Sequence, residues 1–160
     1  MSQSPTISTF LWFNGQAEEA ANVYTSLFGG RVTKVTRWSD GGPVPAGTVM
    51  TVAFELNGHR YTALNGGPMY QFTPAFSLVV SCKTQDEINR YWDALIADGG
   101  QPSRCGWLID KFGLSWQVVP EDLGALLAGP DAQGAARAGQ ALMTMDKLDI
   151  AALRRAYAGE

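Results

Sequence analysis

The chain has 160 residues, of which 46% are hydrophobic and 17% are charged. This size and composition predict one globular domain or two tightly fused half-domains, and they exclude a large multidomain assembly. With 12 basic and 15 acidic side chains and a net charge of -3, the chain is not expected to bind nucleic acid. We expect no contact with membranes either, because no apolar run approaches the ~20 residues that span a bilayer and no basic-then-apolar leader opens the chain.

The numbers of cysteine and histidine residues limit the kinds of disulfide and metal site that the chain can form. Two cysteines in a chain with this much potential core predict reduced thiols and a cytoplasmic location. The single histidine, His59, excludes a zinc site built on several imidazoles, and its place in a predicted hairpin tip is typical of a solvated side chain. Cys105 follows Arg104, a neighbour that favours a reactive thiolate, although the start of a packed strand also explains a thiol there.

An internal repeat organises the chain as far as Pro120. An apolar helical stripe runs through residues 16–28, starts with acidic side chains and ends at a Gly-Gly pair. The same stripe returns in residues 84–98, with Thr84 as a predicted N-cap, and a constant displacement carries Ala20 to Ile88 and Phe28 to Ile96. Asn57-Gly58 predicts a tight hairpin between two of the strands. Strand-like runs surround the helices at 7–13, 31–37, 49–56, 59–65, 75–82, near 101, 106–109 and 115–119.

The order β-α-β-β-β therefore occurs twice, and the predicted fold class is α+β. We expect two modules, at about 7–66 and 75–119, within one domain of residues 1–120. A helical extension is predicted over residues 121–160, with Asp149 as the N-cap of its last helix. The apolar stripe of this extension would pack on the core of its own chain or, as an alternative, on a partner subunit.

Four segments of the sequence carry a family resemblance: residues 10–20 (FLWFNGQAEEA), 62–68 (TALNGGP), 105–110 (CGWLID) and 112–120 (FGLSWQVVP). They resemble the PhnB-like family, also called the 3-demethylubiquinone-9 3-methyltransferase domain family, of the vicinal oxygen chelate (glyoxalase/bleomycin-resistance) superfamily. The resemblance implies paired βαβββ modules whose mixed sheets curl around a ligand cavity, commonly in homodimers.

The resemblance also implies where a metal would be held, on the first and last strands of each module. In this sequence the four positions fall at or near Thr9, Asn65, Ser77 and Gln117. Hydroxyls and amides without any carboxylate or imidazole are a poor ligand set for a divalent ion. We therefore expect no bound metal and no other cofactor.

Strand alternation predicts which side chains line the cavity. Trp12 and Trp116 are expected to pack under the helices, and Trp38, in a Gly- and Pro-rich loop, is a candidate lid. Side chains of the opposite parity are expected to face the ligand: Thr9, Leu11, Phe13, Tyr61, Ala63, Asn65, Ser77, Val79, Ser115 and Gln117.

These features favour a binding module, a homodimer that takes a small, partly apolar organic molecule in a metal-free cavity. The alternative is a metal-dependent enzyme of glyoxalase, dioxygenase or isomerase type. A third class is an interaction protein that uses the helical extension. The methyltransferase activity in the family name is less favoured, because no Gly-rich turn joins a strand to a helix here. The sequence identifies no catalytic residue.

Overall fold

The computed structural model describes residues 4–160, and these form two compact units that divide after Gln71. The first three residues of the predicted 1–120 domain lie outside the described residues. Within the described range, no helix is both long enough and apolar enough to cross a membrane.

The first unit contains one complete βαβββ module. Its sheet has the order β1-β4-β3-β2, with β1 parallel to β4 and the remaining pairs antiparallel. Both residues of the Asn57-Gly58 turn have positive φ, which confirms the predicted tight hairpin. The elements are β1 (Thr9–Phe13), α1 (Ala17–Phe28), β2 (Arg31–Arg37), β3 (Val49–Leu56) and β4 (His59–Asn65).

The second unit repeats the module and adds three helices. Its sheet has the order β5-β8-β7-β6, and β5 runs parallel to β8. The predicted α+β fold of two βαβββ modules with a C-terminal helical extension is confirmed. The elements are β5 (Ser77–Cys82), α2 (Gln85–Ile96), a 3-10 turn (Ala97–Gly99), β6 (Gln101–Pro102), β7 (Trp107–Ile109), β8 (Ser115–Pro120), α3 (Leu123–Ala128), α4 (Ala132–Leu142) and α5 (Ile150–Ala158).

Capping side chains begin the helices where the sequence predicts them. The Thr84 hydroxyl accepts a hydrogen bond from the Glu87 amide, and the Asp149 carboxylate accepts one from the Ala152 amide. At its other end, α1 stops at Gly29, which has φ +69° and satisfies the carbonyl of Thr25.

Each helix covers one face of its own sheet. In the first unit Tyr24 of α1 lies against Phe54 of β3, with ring centroids 6.3 Å apart, above the buried Leu11, Val52 and Ala63. In the second unit α2 packs on the strands through Ile88, Trp92 and Leu95, and the buried strand residues include Leu108, Trp116 and Val118. The other face of each sheet is the one that we call its open face.

One extra linking residue reverses the predicted strand parity in the first unit. Residues 14–16 join β1 to α1, whereas only Lys83 and Thr84 join β5 to α2. A shift of one residue moves every side chain of a strand to the opposite face of the sheet. Trp12 therefore lies on the open face, contrary to the prediction that it packs under the helix, whereas Trp116 is buried as predicted.

The C-terminal extension packs on the second unit. Val119 at the end of β8 forms a buried cluster with Leu148 and Leu153. Gln85 of α2 fastens the segment before α5, because its amide donates to the Leu148 carbonyl and accepts from the Ile150 N–H, each at 2.9 Å. The predicted packing of the extension on its own chain is therefore observed.

The Leu153→Ala variant should lower the free energy of unfolding by about 2–4 kcal/mol, because Leu153 is fully buried between the extension and β8. Urea denaturation followed by circular dichroism measures the change. Leu127→Ala, at an exposed position of α3, is the matched control and should cost under about 1 kcal/mol. Equal effects of the two substitutions would contradict the packing described above.

Candidate functional site

The second unit contains a cavity of about 350 Å³ on the open face of its sheet. Its wall comes from β7 and from Ser115 at the start of β8. Its rim comes from Pro74 and from the hairpin between β6 and β7, which contributes Ser103, Arg104 and Cys105. This volume is within the range of small-molecule sites.

The register of β7 and β8 decides which side chains reach this cavity. Ile109 pairs with Ser115, and Trp107 pairs with Gln117, so all four project from the open face. Asp110 holds this register: one carboxylate oxygen accepts from the amides of Phe112 and Leu114, and the other accepts from the indole of Trp116 at 2.9 Å.

Two predicted site residues of the second unit bond to each other on the open face. The Gln117 amide donates to the Ser77 hydroxyl at 3.0 Å. Val79 lies beside Gln117 on β5 and is 54% exposed, so the parity predicted for this unit is observed. Ser115 is 1% exposed and lines the cavity.

The cavity rim is held by backbone bonds to the extension. Cys105 and Gly106 have φ values of +61° and +83°, and their amides donate to the carbonyls of Met145 and Asp146, each at 2.8 Å. The Cys105 thiol is half-buried and lies 3.7 Å from the sulfur of Met143. The extension thus fixes the hairpin that bears Arg104 and Cys105.

The predicted site residues of the first unit do not reach its open face. β1 residues Thr9, Leu11 and Phe13 share the face of the buried Val52 and Phe54, under α1. The Tyr61 ring stacks on Phe54 at 5.2 Å, and burial raises the pKa of its hydroxyl. The parity predicted for these strands is therefore wrong, because of the extra linking residue described above.

Asn65 has a structural role in the first unit. Its side-chain oxygen accepts from the Ala17 amide at 2.9 Å, and its nitrogen donates to the Val49 carbonyl at 3.1 Å. It therefore caps α1 from a neighbouring strand instead of facing a ligand.

Other side chains occupy the open face of the first sheet. By register these include Phe10 and Trp12 of β1, with Thr62 and Leu64 of β4. The Trp12 indole donates to the Gly67 carbonyl at 2.9 Å, and Tyr70 meets its ring edge-on at 4.9 Å. The segment after β4 thus folds back over Trp12.

Trp38 packs on its own loop. A side chain at Gly42 would come within 2.9 Å of the Trp38 ring, and the Trp38 amide and carbonyl bond to Thr48 and Gly47. Its role as a lid stays a prediction. His59 is exposed at the hairpin, as expected.

The residues of the cavity rim were not predicted as a site from the sequence. No alternation of apolar and polar residues marks Ser103, Arg104 and Trp107, because β6 before them is very short. The extension positions the hairpin that contains them, and this contact is distant in sequence. The sequence signal that could have indicated this rim is Arg-Cys-Gly at positions 104–106. There a glycine typical of a turn follows a cationic side chain and a thiol, both of which can contact a ligand.

The candidate metal positions do not fit a divalent ion. Thr9 and Asn65 lie under α1, and Ser77 and Gln117 satisfy each other. Across residues 4–160 no group of three or more histidine, cysteine or acidic side chains is arranged to hold a metal ion. Hydroxyl and amide groups that are already bonded to protein offer little to such an ion.

Two βαβββ modules, each with a mixed four-stranded sheet, define the vicinal oxygen chelate class of proteins. The family model for 3-demethylubiquinone-9 3-methyltransferase matches residues 5–119, so the chain belongs to that PhnB-like family. It is similar to the PhnB protein of Bacillus cereus at 38% identity and a TM-score of 0.65, with 72% of this chain and 99% of that chain covered.

Two more distant structures share the fold. A protein from Pseudomonas aeruginosa is 23% identical, with a TM-score of 0.60 over 73% of this chain and 98% of that one. The fosfomycin resistance protein FosX of Listeria monocytogenes, in a complex with Mn(II), is 11% identical, with a TM-score of 0.54 over 73% and 92%. A search of curated proteins finds no match.

Replacing Asn65 with alanine should lower the free energy of unfolding by about 1–2 kcal/mol, because the first turn of α1 loses its acceptor. Thermal or urea denaturation measures it. Asn65→Asp keeps the acceptor and should cost less, and Asn22→Ala on the exposed side of α1 should cost least. A loss of ligand affinity without any loss of stability would show that Asn65 is a binding residue instead.

Iodoacetamide at about pH 8 should alkylate Cys105 and leave Cys82 unmodified. Cys82 is 1% exposed, and burial together with the nearby Glu87 carboxylate raises the pKa of its thiol to about 11. Intact-mass spectrometry of the folded protein should find one adduct, and Cys105→Ser should abolish it. Two adducts at similar rates would show that the second unit opens on the timescale of labelling.

Proposed function

We propose that this chain is a vicinal-oxygen-chelate-type binding protein that holds a small, partly apolar organic molecule in the cavity of its second unit, without a metal. The observation that carries the proposal is the chemistry of this open face. Its cavity wall has the aromatic Trp107, the aliphatic Ile109 and the hydroxyl of Ser115. Apolar walls supply affinity through burial, and one or two polar groups fix the orientation of a ligand.

The absence of suitable metal ligands among the candidate positions supports binding over metal-dependent chemistry. Gln117 and Ser77 are neutral and bonded to each other, so they supply no charge to compensate a divalent ion. The metal-dependent enzyme is the second candidate function, since FosX has a related fold and its structure holds Mn(II). We assign no catalytic residue in this chain.

We extend the proposal to a cytoplasmic homodimer. Large apolar side chains are exposed in each unit, including Phe10 at 61% and Val79 at 54%. Burial of such side chains in a subunit interface would be favourable. The cytoplasmic location rests on Cys82 and Cys105, both free thiols.

Native mass spectrometry with 1-anilinonaphthalene-8-sulfonate, a small probe with an apolar ring system and one sulfonate, tests the proposal. We expect a dimer that takes up one probe molecule per chain, with the same affinity before and after dialysis against EDTA. Ser103→Trp places a bulky side chain at the exposed rim and should lower probe affinity about tenfold or more. Ser26→Trp, on an exposed position of α1, is the matched control.

The possible contrary results separate the two candidate functions. A stoichiometric divalent ion whose removal abolishes probe binding would favour the metal-dependent enzyme. Equal probe binding by wild type and Ser103→Trp would show that the cavity is not the ligand site. A monomer that still binds the probe would contradict only the homodimer.

A further inference from the structure

The cavity of the second unit has two polar ends joined by an apolar wall. Ser115 lies at one end, opposite Ile109 on β7. The hairpin with Arg104 and Cys105 lies at the other, where the Ser103 amide bonds to the Trp107 carbonyl at 2.8 Å. Cys105 and Gly106 have positive φ and are not extended, so the separation of the two ends follows β7, which spans roughly 7 Å from Trp107 to Ile109. A ligand that contacts both ends must therefore reach past the length of this strand.

The Ser115 end offers one free hydrogen-bonding group. The residue is 1% exposed, and no group among residues 4–160 forms a hydrogen bond with its hydroxyl. Every fully enclosed side-chain nitrogen or oxygen in that same range has a partner, so the hydroxyl must reach the cavity that it lines. A buried hydroxyl without a partner favours a ligand that can bond to it.

The hairpin end offers a free cation. Arg104 lines the cavity and takes part in no ion pair within the described chain. Arg137 and Arg154 of the same unit each lie within 3.6 Å of a carboxylate oxygen. Arg90 and Arg155 form no ion pair within the described chain but do not line the cavity, so Arg104 is the arginine available to a ligand there. A guanidinium group in this position is suited to a carboxylate, which it can bind with two parallel hydrogen bonds.

We propose that the cavity binds an elongated organic acid, whose carboxylate contacts Arg104, whose apolar body lies on Trp107 and Ile109, and whose far end bears a group that hydrogen-bonds Ser115. This inference rests on the proposed function and specifies its ligand class. The apolar body accounts for affinity, and the two polar ends determine length and direction.

The Cys105 thiol provides a reporter of occupancy. It lines the cavity beside Arg104, so a bound acid should shield it from iodoacetamide, while the enclosed Cys82 contributes no background. The probes are 8-hydroxyoctanoate, octanoate, and 8-hydroxyoctanamide as the uncharged analogue. The rate of Cys105 alkylation by intact mass is compared with and without each probe, within each variant.

In the wild type, 8-hydroxyoctanoate should protect Cys105 at a concentration about tenfold or more below that of the amide, because only the acid pairs with Arg104. Arg104→Gln should reduce this difference to within about twofold. Arg155→Gln, which removes the same charge from an exposed position of α5, should preserve it. Ser115→Ala should weaken 8-hydroxyoctanoate about threefold or more and leave octanoate unchanged.

Equal protection by the acid and the amide would overturn the ligand class, while probe binding to the cavity would still support the proposed function. An unchanged preference in Arg104→Gln would overturn the role of that arginine. If no octanoate derivative protects Cys105, the organic-acid inference fails. Whether the proposed function also fails is decided separately by 1-anilinonaphthalene-8-sulfonate and Ser103→Trp.

Discussion

The buried carboxylate of Asp110 fixes the geometry on which the second unit depends. It accepts hydrogen bonds from the turn amides of Phe112 and Leu114 and from the Trp116 indole. The turn bonds set the pairing of β7 with β8, and the indole bond holds Trp116 on the helix-covered face. Because strand side chains alternate, the same bonds place Ser115 and Gln117 on the opposite face. A turn that serves folding thus also determines which side chains can meet a ligand.

The C-terminal extension positions the rim of the cavity, as Asp110 positions its wall. The sheet alone would provide only a short strand, β6, and a free hairpin beside the cavity. The carbonyls of Met145 and Asp146 hold that hairpin through two amides, with Leu148 packed against Gly106. A side chain at Gly106 would come within 3.0 Å of Leu148, which explains why glycine occupies this position of positive φ. The extension therefore positions the rim of the site, although it contributes no lining residue.

Local signals were sufficient for most of the fold. The two helical stripes, the Asn57-Gly58 hairpin and the caps at Thr84 and Asp149 all depend on residues close in sequence, and each is found where it was predicted. The face of β1 was not predictable in this way. It depends on the length of the link between a strand and its helix, and helical periodicity does not record that length. The rim of the cavity depends on contacts between segments that are distant in sequence, such as the one between Cys105 and Met145.

The polar groups on the open face of the second sheet differ in how much hydrogen-bonding capacity remains for a ligand. Gln117 and Ser77 are hydrogen-bonded to each other in the absence of a ligand. A ligand that bonds to either of them must compete with this hydrogen bond and therefore gains little free energy. The Ser115 hydroxyl has no such partner in the described chain, so a ligand that displaces water from the cavity without bonding to this hydroxyl would leave it unpaired at a cost of about 1–3 kcal/mol. A ligand that bonds to it avoids that cost, whereas a pure hydrocarbon of the same shape does not. Because the wall around it is apolar, the unpaired Ser115 hydroxyl favours ligands that can hydrogen-bond to it over ligands that cannot.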